Sequence, residues 1–213
     1  MTKITTPLIW KKLIIEGRKI ATSAEIRQMA LDLGKGDERS LRYLQEHGYI
    51  YRILRGIFYI KSPEERERGF FTYSKYEMVS SAMKHKGIRN WYFGLETALR
   101  LNNMTHEYFT VDFVITDSFR TTKIINIIDT KFQFFKWSKK HFMFGIMKKN
   151  GLAYSDREKT VLDIAYRLYL STCDPESVIS PLRDYEYLLN RNILSSYLGF
   201  YPLQFQKIIR GAL

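Results

Sequence analysis

The sequence is poor in the features that mark secreted and membrane proteins. It has one cysteine, Cys173, so it cannot form an internal disulfide, and a reducing cytoplasm is the expected location. No apolar run approaches the roughly 20 residues that a membrane-spanning helix needs. Lys11 and Lys12 follow a very short apolar patch, so no signal peptide is expected either.

The common motifs of metal, cofactor and catalytic sites are also absent. The four histidines, His47, His85, His106 and His141, are scattered, and no His/Cys spacing fits zinc. The segment LGKGDERS lacks the spacing of a phosphate-binding loop, and there is no Gly-x-Ser-x-Gly elbow. We therefore expect no cofactor, no metal and no catalytic residues.

Positive charge is what the sequence has in excess. Its 34 Lys and Arg against 22 Asp and Glu give a net charge of +12, which favours a polyanionic partner, most often nucleic acid. A basic but inert surface is the alternative. Residues 1–68 carry 14 cations against 9 anions, residues 69–150 carry 13 against 6, and residues 151–213 carry 7 against 7. The excess therefore belongs to the first two thirds of the chain.

Three helical patterns open the chain. The first starts at Thr6-Pro7, the second at a capping box of Thr22 and Glu25, and the third runs from about Asp37 to His47. Gly34 ends the second helix and Gly48 ends the third. Apolar residues recur at helical spacing on the faces expected to be buried, namely Ile9, Trp10, Leu13, Ile14, Ile26, Met29, Ala30, Leu33, Leu41 and Leu44.

A hairpin follows in the stretch HGYIYRILRGIFYI. The runs Tyr49–Ile53 and Ile57–Lys61 are rich in β-branched and aromatic residues, and Gly56 supplies the positive φ that the turn requires. Three short helices and a two-stranded hairpin form a winged helix-turn-helix. The sequence therefore predicts a DNA-binding domain of this type over residues 1–62.

Arginines occupy the positions that would meet DNA in such a domain. Arg39 and Arg42 share an exposed face of the third helix, which enters the major groove, and Tyr43 can stack or donate to a phosphate. Arg55 at the hairpin tip reaches phosphates or the minor groove. Two alternatives remain. The domain could be a packing module with solubilising arginines, or it could bind protein through Tyr49, Tyr51 and Phe58.

The rest of the chain predicts a second domain. Residues 63–72, with a dense run of mixed charge, form a linker or a short solvated helix, and residues 73–213 form a larger mixed α/β domain. Its helices are expected in TYSKYEMVSSAMKHKG, WYFGLETALRLNN and SDREKTVLDIAYRLYL, with capping boxes at Ser74/Glu77 and Ser155/Glu158. Its strands are expected in YFTVDFVITD, TKIINIID and KFQFFKW, with HFMFGIMKK as a candidate for a further strand. The predicted fold class is α+β, with a sheet of at least three strands after the winged helix.

This layout resembles the AbiEi family of antitoxins from type IV toxin–antitoxin systems, which act in abortive infection and antiviral defence. The resemblance rests on the N-terminal domain ending in GYIYRILRGIFYI, on NWYFGLETALRLNN, on the strand-rich middle, and on YSDREKTVLDIAYRLYL, which is similar to the family's EKTLLD helix. It spans most of residues 7–170. Residues 175–213, which have helical patches, resemble nothing in that family and would suit a partner-binding surface.

The resemblance implies a transcriptional autoregulator that binds operator DNA and opposes a nucleotidyltransferase toxin, with or without direct contact. The family's DNA-contacting elements map here onto the third helix and the hairpin. The DNA-binding residues that this mapping gives are Arg39, Ser40, Arg42, Tyr43, Arg52 and Arg55. A palindromic operator would suit two copies of the chain.

A metal-dependent nuclease is the alternative function. Asp112, Asp117, Asp129 and Lys131 could reproduce the carboxylates and lysine with which restriction-type nucleases hold Mg²⁺ and a water molecule. Strand-edge charges, or a nuclease-like scaffold without chemistry, are the simpler interpretations of the same pattern. Asp163 is expected on an exposed helix face or paired with Arg167.

A single-stranded nucleic-acid platform is a further alternative. In FQFFKWSKKHF aromatic residues alternate with lysines, a pattern that can suit stacked bases. The aromatic residues fall on both faces of the strand, however, which favours a buried strand. Lys139 and Lys140 remain candidates for phosphate contacts.

Overall fold

Two separate sheets organise the chain. The computed structural model describes residues 6–34, 36–172 and 174–212, and Cys173 lies outside them. The fold is mixed α+β, with one sheet of three strands and one of six. The chain divides between Arg89 and Asn90 into two compact units, here called the first and the second unit. Among the described helices, none has the length and apolar character needed to cross a membrane.

The first unit begins with helices and a short strand and continues with the predicted hairpin. Its elements are, in order, α1 (Thr6–Ile15), β1 (Ile20–Thr22), α2 (Ser23–Asp32), α3 (Asp37–Glu46), β2 (Ile50–Leu54), β3 (Ile57–Ile60), α4 (Pro63–Arg68) and α5 (Lys75–His85).

Local signals set the ends of the second and third helices. The Thr22 hydroxyl accepts from the Glu25 amide (3.2 Å), and the Glu25 carboxylate accepts from the Thr22 amide (2.6 Å), so the predicted capping box is confirmed. Helix α3 follows Gly36, has no side-chain cap at its start, and ends before Gly48, whose φ is +66°. A positive φ at this position favours glycine, which explains the stop.

The three-stranded sheet has the order β1-β3-β2, and both pairings are antiparallel. Sequence patterns did not predict β1, because it has only three residues and its partner, β3, lies more than thirty positions later in the chain. Helices α1 to α3 share a core with the sheet. Its buried members are Ile9, Trp10, Leu13, Ala21, Ile26, Ala30, Leu41, Leu44, Ile50, Phe58 and Ile60. Leu33, expected in this core, lies past the end of α2 and is 39% exposed.

The predicted linker over residues 63–72 takes the helical form. Helix α4 is capped by Ser62, and the fully buried carboxylate of Glu65 accepts from the Ser62 amide (2.7 Å), the Thr72 amide (2.6 Å) and the Tyr59 hydroxyl. Helix α5, with the predicted Ser74/Glu77 capping box, packs against β1, β2 and β3. The unit therefore ends after α5 and not in residues 63–72.

The second unit alternates strands and helices before ending in helices alone. Its strands are β4 (Trp91–Phe93), β5 (Val111–Thr116), β6 (Ile125–Ile127), β7 (Thr130–Lys136), β8 (Ile146–Lys149) and β9 (Leu152–Ser155). Its α-helices are α6 (Leu95–Leu101), α7 (Arg157–Ser171), α8 (Pro175–Tyr185), α9 (Arg191–Leu198) and α10 (Leu203–Arg210). Short 3₁₀ helices lie at Lys139–Phe142 and Glu186–Leu188.

The six-stranded sheet has the order β6-β7-β5-β4-β9-β8. Strands β5 and β7 run parallel, from the pair Val111 and Lys131 to the pair Thr116 and Lys136. Hairpins β6–β7 and β8–β9 form the two edges, and β4 pairs with β5 antiparallel and with β9 parallel. The prediction of a sheet of at least three strands is confirmed.

An apolar core joins this sheet to the helices that follow it. It includes Tyr92 and Ile115 from the sheet, and Val161, Leu162 and Ala165 from α7. The last helices also contribute buried side chains, namely Val178, Leu182, Leu194, Leu198, Tyr201, Phe205 and Ile209. The helices of residues 175–212 thus contribute one face each to the core of the second unit.

Two expectations for this unit were wrong in detail. The helix predicted from Trp91 begins only at Leu95, because Trp91–Phe93 form β4. Gly94 lies between the two elements, and an added Cβ there would lie 2.8 Å from the Ile115 side chain. Helix α7 is capped by Asp156, which accepts from the Lys159 amide at 2.8 Å, and not by Ser155. The carboxylate of Glu158 instead accepts from the amide of Asn190 (2.9 Å).

Candidate nucleic-acid interface

Helix α3 separates its buried and exposed residues sharply. Leu41 and Leu44 face the core, whereas Arg39 and Arg42 are exposed. Ser40 is only 4% exposed, and its hydroxyl donates to the carbonyl of Gly36 (2.8 Å). Ser40 therefore faces inward and is removed from the set of surface contacts, because it lies on the same side of the helix as Leu41 and Leu44.

A partly exposed ion pair links α3 to α2. The guanidinium of Arg27 lies 2.5 Å from the carboxylate of Glu38, at the start of α3. The two helices are also in direct contact. Glu38 is exposed on the same part of α3 as Arg39 and Arg42, so this pair neutralises a carboxylate beside them.

Tyr43 belongs to a stack of rings at the end of α3. Its ring centroid is 3.9 Å from that of His47 and 6.3 Å from that of Tyr49. The Arg66 guanidinium from α4 lies 3.6 Å from the Tyr49 ring centroid and donates to the His47 carbonyl (3.3 Å). The Tyr43 ring is half-buried in this packing, so the face that His47 covers is not available for stacking on a base.

The hairpin holds its two arginines in different ways. Arg52 lies on β2, two residues after buried Ile50, so its side chain leaves the sheet on the face that carries α3, and it is exposed. Arg55 is exposed in the two-residue turn with Gly56, whose φ is +77°. The Gly56 carbonyl accepts from the Ser23 amide at 2.9 Å, which ties the turn to the start of α2.

Four arginines of the predicted set are therefore exposed on neighbouring elements. Helix α3 packs against β2, and Arg39, Arg42, Arg52 and Arg55 are exposed on these two elements and on the turn after β2. None of the four forms an ion pair with a carboxylate of the described residues. Unpaired guanidinium groups on a rigid frame suit phosphates and the acceptor edge of guanine.

The carboxylates of the alternative nuclease site do not come together. Asp112 is buried. Its carboxylate accepts a hydrogen bond from the Thr97 hydroxyl (3.1 Å) and forms an ion pair with Arg100. It is paired in register with Phe132, so it lies on the opposite face of the sheet from Lys131. Asp117 follows the opposite end of β5 and is five residues beyond Asp112, which in a strand corresponds to a separation of about 16 Å.

Other candidate metal and nucleic-acid features have structural roles. Within the described residues, no three His, Cys, Asp or Glu side chains are grouped so that they could hold a metal ion. His141 is buried, and burial, followed by the nearby Lys159 and Lys140, lowers its pKa to about 3. On one face of strand β7, Phe132 and Phe134 are fully buried, whereas on the other face Phe135 is half-buried and Lys131 is exposed. Trp137, which follows the strand, is 9% exposed.

A buried ionic cluster in the second unit is the feature that sequence patterns missed. Lys159 and Asp163 on α7 are both fully buried, and the Lys159 Nζ lies 3.3 Å from the Asp163 carboxylate. Asp163 was expected to be exposed or paired with Arg167, which instead pairs with Glu96. The hydroxyls of Tyr92 (2.8 Å) and Tyr201 (2.6 Å) donate to Asp163. The sequence around Asp163 gives no sign of its burial, because the tyrosines that bond to it are distant in sequence.

Burial controls the protonation of this cluster. It raises the pKa of Asp163, although Lys159 and the two tyrosine hydroxyls act in the opposite direction. It lowers the pKa of Lys159 despite the attraction of Asp163. The hydrogen bonds from Tyr92 and Tyr201 join α7 to β4 and to the segment before α10.

Comparisons with known proteins bear on the fold. Neither the protein-family models nor the curated proteins give a match. Among solved structures, the chain is similar to the RV2827C protein from Mycobacterium tuberculosis, with a TM-score of 0.58 and 12% identity, over 98% of this chain and 76% of that one. At this identity the likeness shows the fold alone.

Proposed function

We propose that the chain is a DNA-binding transcriptional autoregulator whose first unit is a winged helix-turn-helix. One observation carries the proposal. The element order α1-β1-α2-α3-β2-β3 and the sheet order β1-β3-β2 place exposed Arg39 and Arg42 on the third helix and Arg52 and Arg55 on the hairpin. That is the arrangement in which a helix enters the major groove beside a wing.

The arginines have different roles in this proposal. Arg39 and Arg42 lie on the groove-facing side of α3 and read base edges, for which bidentate contact with guanine is the commonest mode. Arg52 and Arg55 contact phosphates, which position the protein without reading sequence. The turn of Arg55 is held to α2 through Ser23, so its contact is made from a fixed backbone.

The resemblance to AbiEi antitoxins supports a more specific role. In this proposal the chain is the cytoplasmic antitoxin of a type IV toxin–antitoxin system, binds its own operator as two copies on a palindrome, and counteracts a nucleotidyltransferase toxin. It has no catalytic activity of its own. The second unit, whose C-terminal helices are built into its core, supplies the antitoxin function.

Binding and protection can be tested separately. The full chain should bind a duplex from upstream of its own operon more tightly than a scrambled duplex, with affinity that falls steeply as salt rises. Co-expression with the nucleotidyltransferase encoded beside it should restore growth. An Arg39→Gln/Arg42→Gln variant should lose the operator preference and keep the growth rescue. Equal binding of both duplexes by the wild-type chain would reject the regulator, and no rescue would reject the antitoxin.

A further inference from the structure

A second set of cations lies at one end of the six-stranded sheet. Strands β5 and β7 are parallel neighbours, so their carboxyl ends, at Thr116 and Lys136, lie side by side at the same end of the sheet. Five exposed cations belong to these strand ends and to the loops that follow them, and we call them the carboxyl-end patch: Arg120, Lys123, Lys136, Lys139 and Lys140. In open sheets with parallel strands, ligands bind outside the carboxyl ends.

The backbone beneath the patch is held in place. The loop over residues 117–124 is bonded to β7, because the Thr121 amide donates to the Phe134 carbonyl (3.0 Å) and the Phe134 amide donates to the Thr121 hydroxyl (3.1 Å). The ring of Phe119 stacks on that of Phe134, with centroids 5.2 Å apart. The Trp137 amide donates to the Thr116 carbonyl (2.9 Å), which fixes the start of the lysine-rich segment.

The positive charge of the patch is largely uncompensated. Residues 117–155 contain eight Lys and Arg against two Asp and no Glu. One of these, Asp117, lies at the patch, where it accepts from the Asn90 amide group (2.7 Å) and from the Ser118 hydroxyl (2.8 Å). None of the five patch cations forms an ion pair with a carboxylate among the described residues. A polyanion would relieve their mutual repulsion.

The exposure of aromatic rings near the patch distinguishes a single-stranded from a double-stranded nucleic acid as its ligand. Single-stranded nucleic acid is held by exposed aromatic rings on which bases stack. Here Phe134 and Trp137 are buried in the unit, and Phe119, beside Arg120, is half-buried with one face of its ring stacked on Phe134. Flexible lysines without exposed rings suit the regularly spaced phosphates of a duplex.

We propose that the carboxyl-end patch binds the sugar–phosphate backbone of duplex DNA through sequence-independent contacts. The inference rests on the proposed function, since it gives the same regulator a second contact with DNA. In this proposal the second unit contributes to the affinity for DNA but not to the preference for one DNA sequence.

A charge-matched pair of variants tests the patch in the full chain. Lys139→Gln/Lys140→Gln removes two cations from the patch, and Lys148→Gln/Lys149→Gln removes two exposed lysines from β8, at the opposite edge of the sheet. Affinities for the upstream duplex, a scrambled duplex and a single-stranded RNA of equal length are measured by anisotropy between about 50 and 200 mM salt. The patch variant should lower the slope of log affinity against log salt on both duplexes by about 0.9 for each phosphate that it no longer neutralises. The β8 variant should keep the wild-type slope.

The outcomes separate this inference from the proposed function. If the patch variant has a smaller salt slope and the wild-type chain shows no preference for the upstream duplex, the result supports the patch and rejects the regulator. A preserved preference with equal slopes for the two variants rejects the patch and supports the regulator. A slope change seen on the RNA alone also overturns the inference, because it would make single-stranded RNA the ligand.

Discussion

The Lys159 ammonium and the Asp163 carboxylate lie 3.3 Å apart, one helical turn from each other, and neither is exposed to solvent. The hydroxyls of Tyr92 and Tyr201 complete the hydrogen bonding of the carboxylate. The ammonium also lies 4.0 Å from the ring centroid of Phe144. Gly145 is required next to it, since an added Cβ would lie 2.8 Å from the Lys159 Cβ.

Removing one member of this pair should destabilise the second unit strongly. Lys159→Met leaves a buried carboxylate without its counter-charge, and Asp163→Asn leaves a buried ammonium. Each should cost about 3–5 kcal/mol of unfolding free energy, whereas Lys159→Met/Asp163→Leu should cost less than the sum of the two. Urea unfolding of the three variants measures these values.

The exposed pair of Glu176 and Arg183 provides the control. Its side chains are 74% and 62% exposed, so Glu176→Gln should change the unfolding free energy by at most about 1 kcal/mol. Equal losses in Glu176→Gln and Asp163→Asn would contradict the stabilising role of the buried cluster.

Glu65 should make the first unit sensitive to acid. Burial alone raises the pKa of Glu65, but hydrogen bonds from Ser62, Tyr59 and Thr72 outweigh it and leave the pKa below the ordinary value of 4.5. A lowered pKa in the folded state stabilises the fold above about pH 4.5, and this contribution disappears as pH falls through the folded-state pKa. Glu65→Gln should therefore cost about 1–3 kcal/mol near neutral pH and little in strong acid.

Glu67→Gln is the matched control for this titration, because Glu67 is exposed on the same helix and the change in charge is identical. Urea unfolding is followed for both variants from neutral pH to about pH 3. If the loss of unfolding free energy in Glu65→Gln stays constant with pH, the Glu65 carboxylate is not the titrating group.

The turn between β6 and β7 should be open to stabilisation. Ile128 and Asp129 have φ values of +43° and +53°, and such a conformation is costly for a β-branched residue. The equivalent turn between β8 and β9 has Asn150 and Gly151, which tolerate it. Ile128→Asn should raise the unfolding free energy by about 1 kcal/mol. Ile128→Val keeps the β-branch, so a comparable gain in that variant would exclude relief of strain as the cause.

Arg55 and Ser40 should differ in their effects on DNA binding. Arg55→Gln should weaken binding to all duplexes equally and lower the salt slope by about 0.9, because it removes one phosphate contact. Ser40→Ala should leave affinity and slope unchanged, since the hydroxyl bonds to Gly36 inside the unit. Anisotropy titrations on the upstream and scrambled duplexes measure both. A change in sequence preference in either variant would contradict these assignments.

Local signals predicted much of the fold. The capping boxes at Thr22/Glu25 and Ser74/Glu77 depend on residues three apart, and both are present. Strand β1 was not predicted, because three residues carry little pattern and the strand exists through its pairing with β3. The boundary between the units was placed too early for a similar reason, since the position of α5 depends on contacts with three strands.

The candidate sites divide in the same way. The exposure of Arg39 and Arg42 follows from the spacing of Leu41 and Leu44 on one helix. The burial of Asp163 depends on Tyr92 and Tyr201, which are 71 and 38 positions away in the sequence. Helical periodicity cannot reveal such partners. For this reason Asp163 was expected at the surface, although it is part of the core.

Helix α3 is proposed to read DNA sequence through its exposed arginines, and Arg42→Ala tests this role most directly. The measurement is the ratio of affinities for the upstream and scrambled duplexes, for the variant and the wild-type chain at one salt concentration. We predict that the wild-type chain prefers the upstream duplex and that the variant loses about 1–3 kcal/mol of that preference. A variant that keeps the full wild-type ratio would contradict the assignment of α3 as the reading helix.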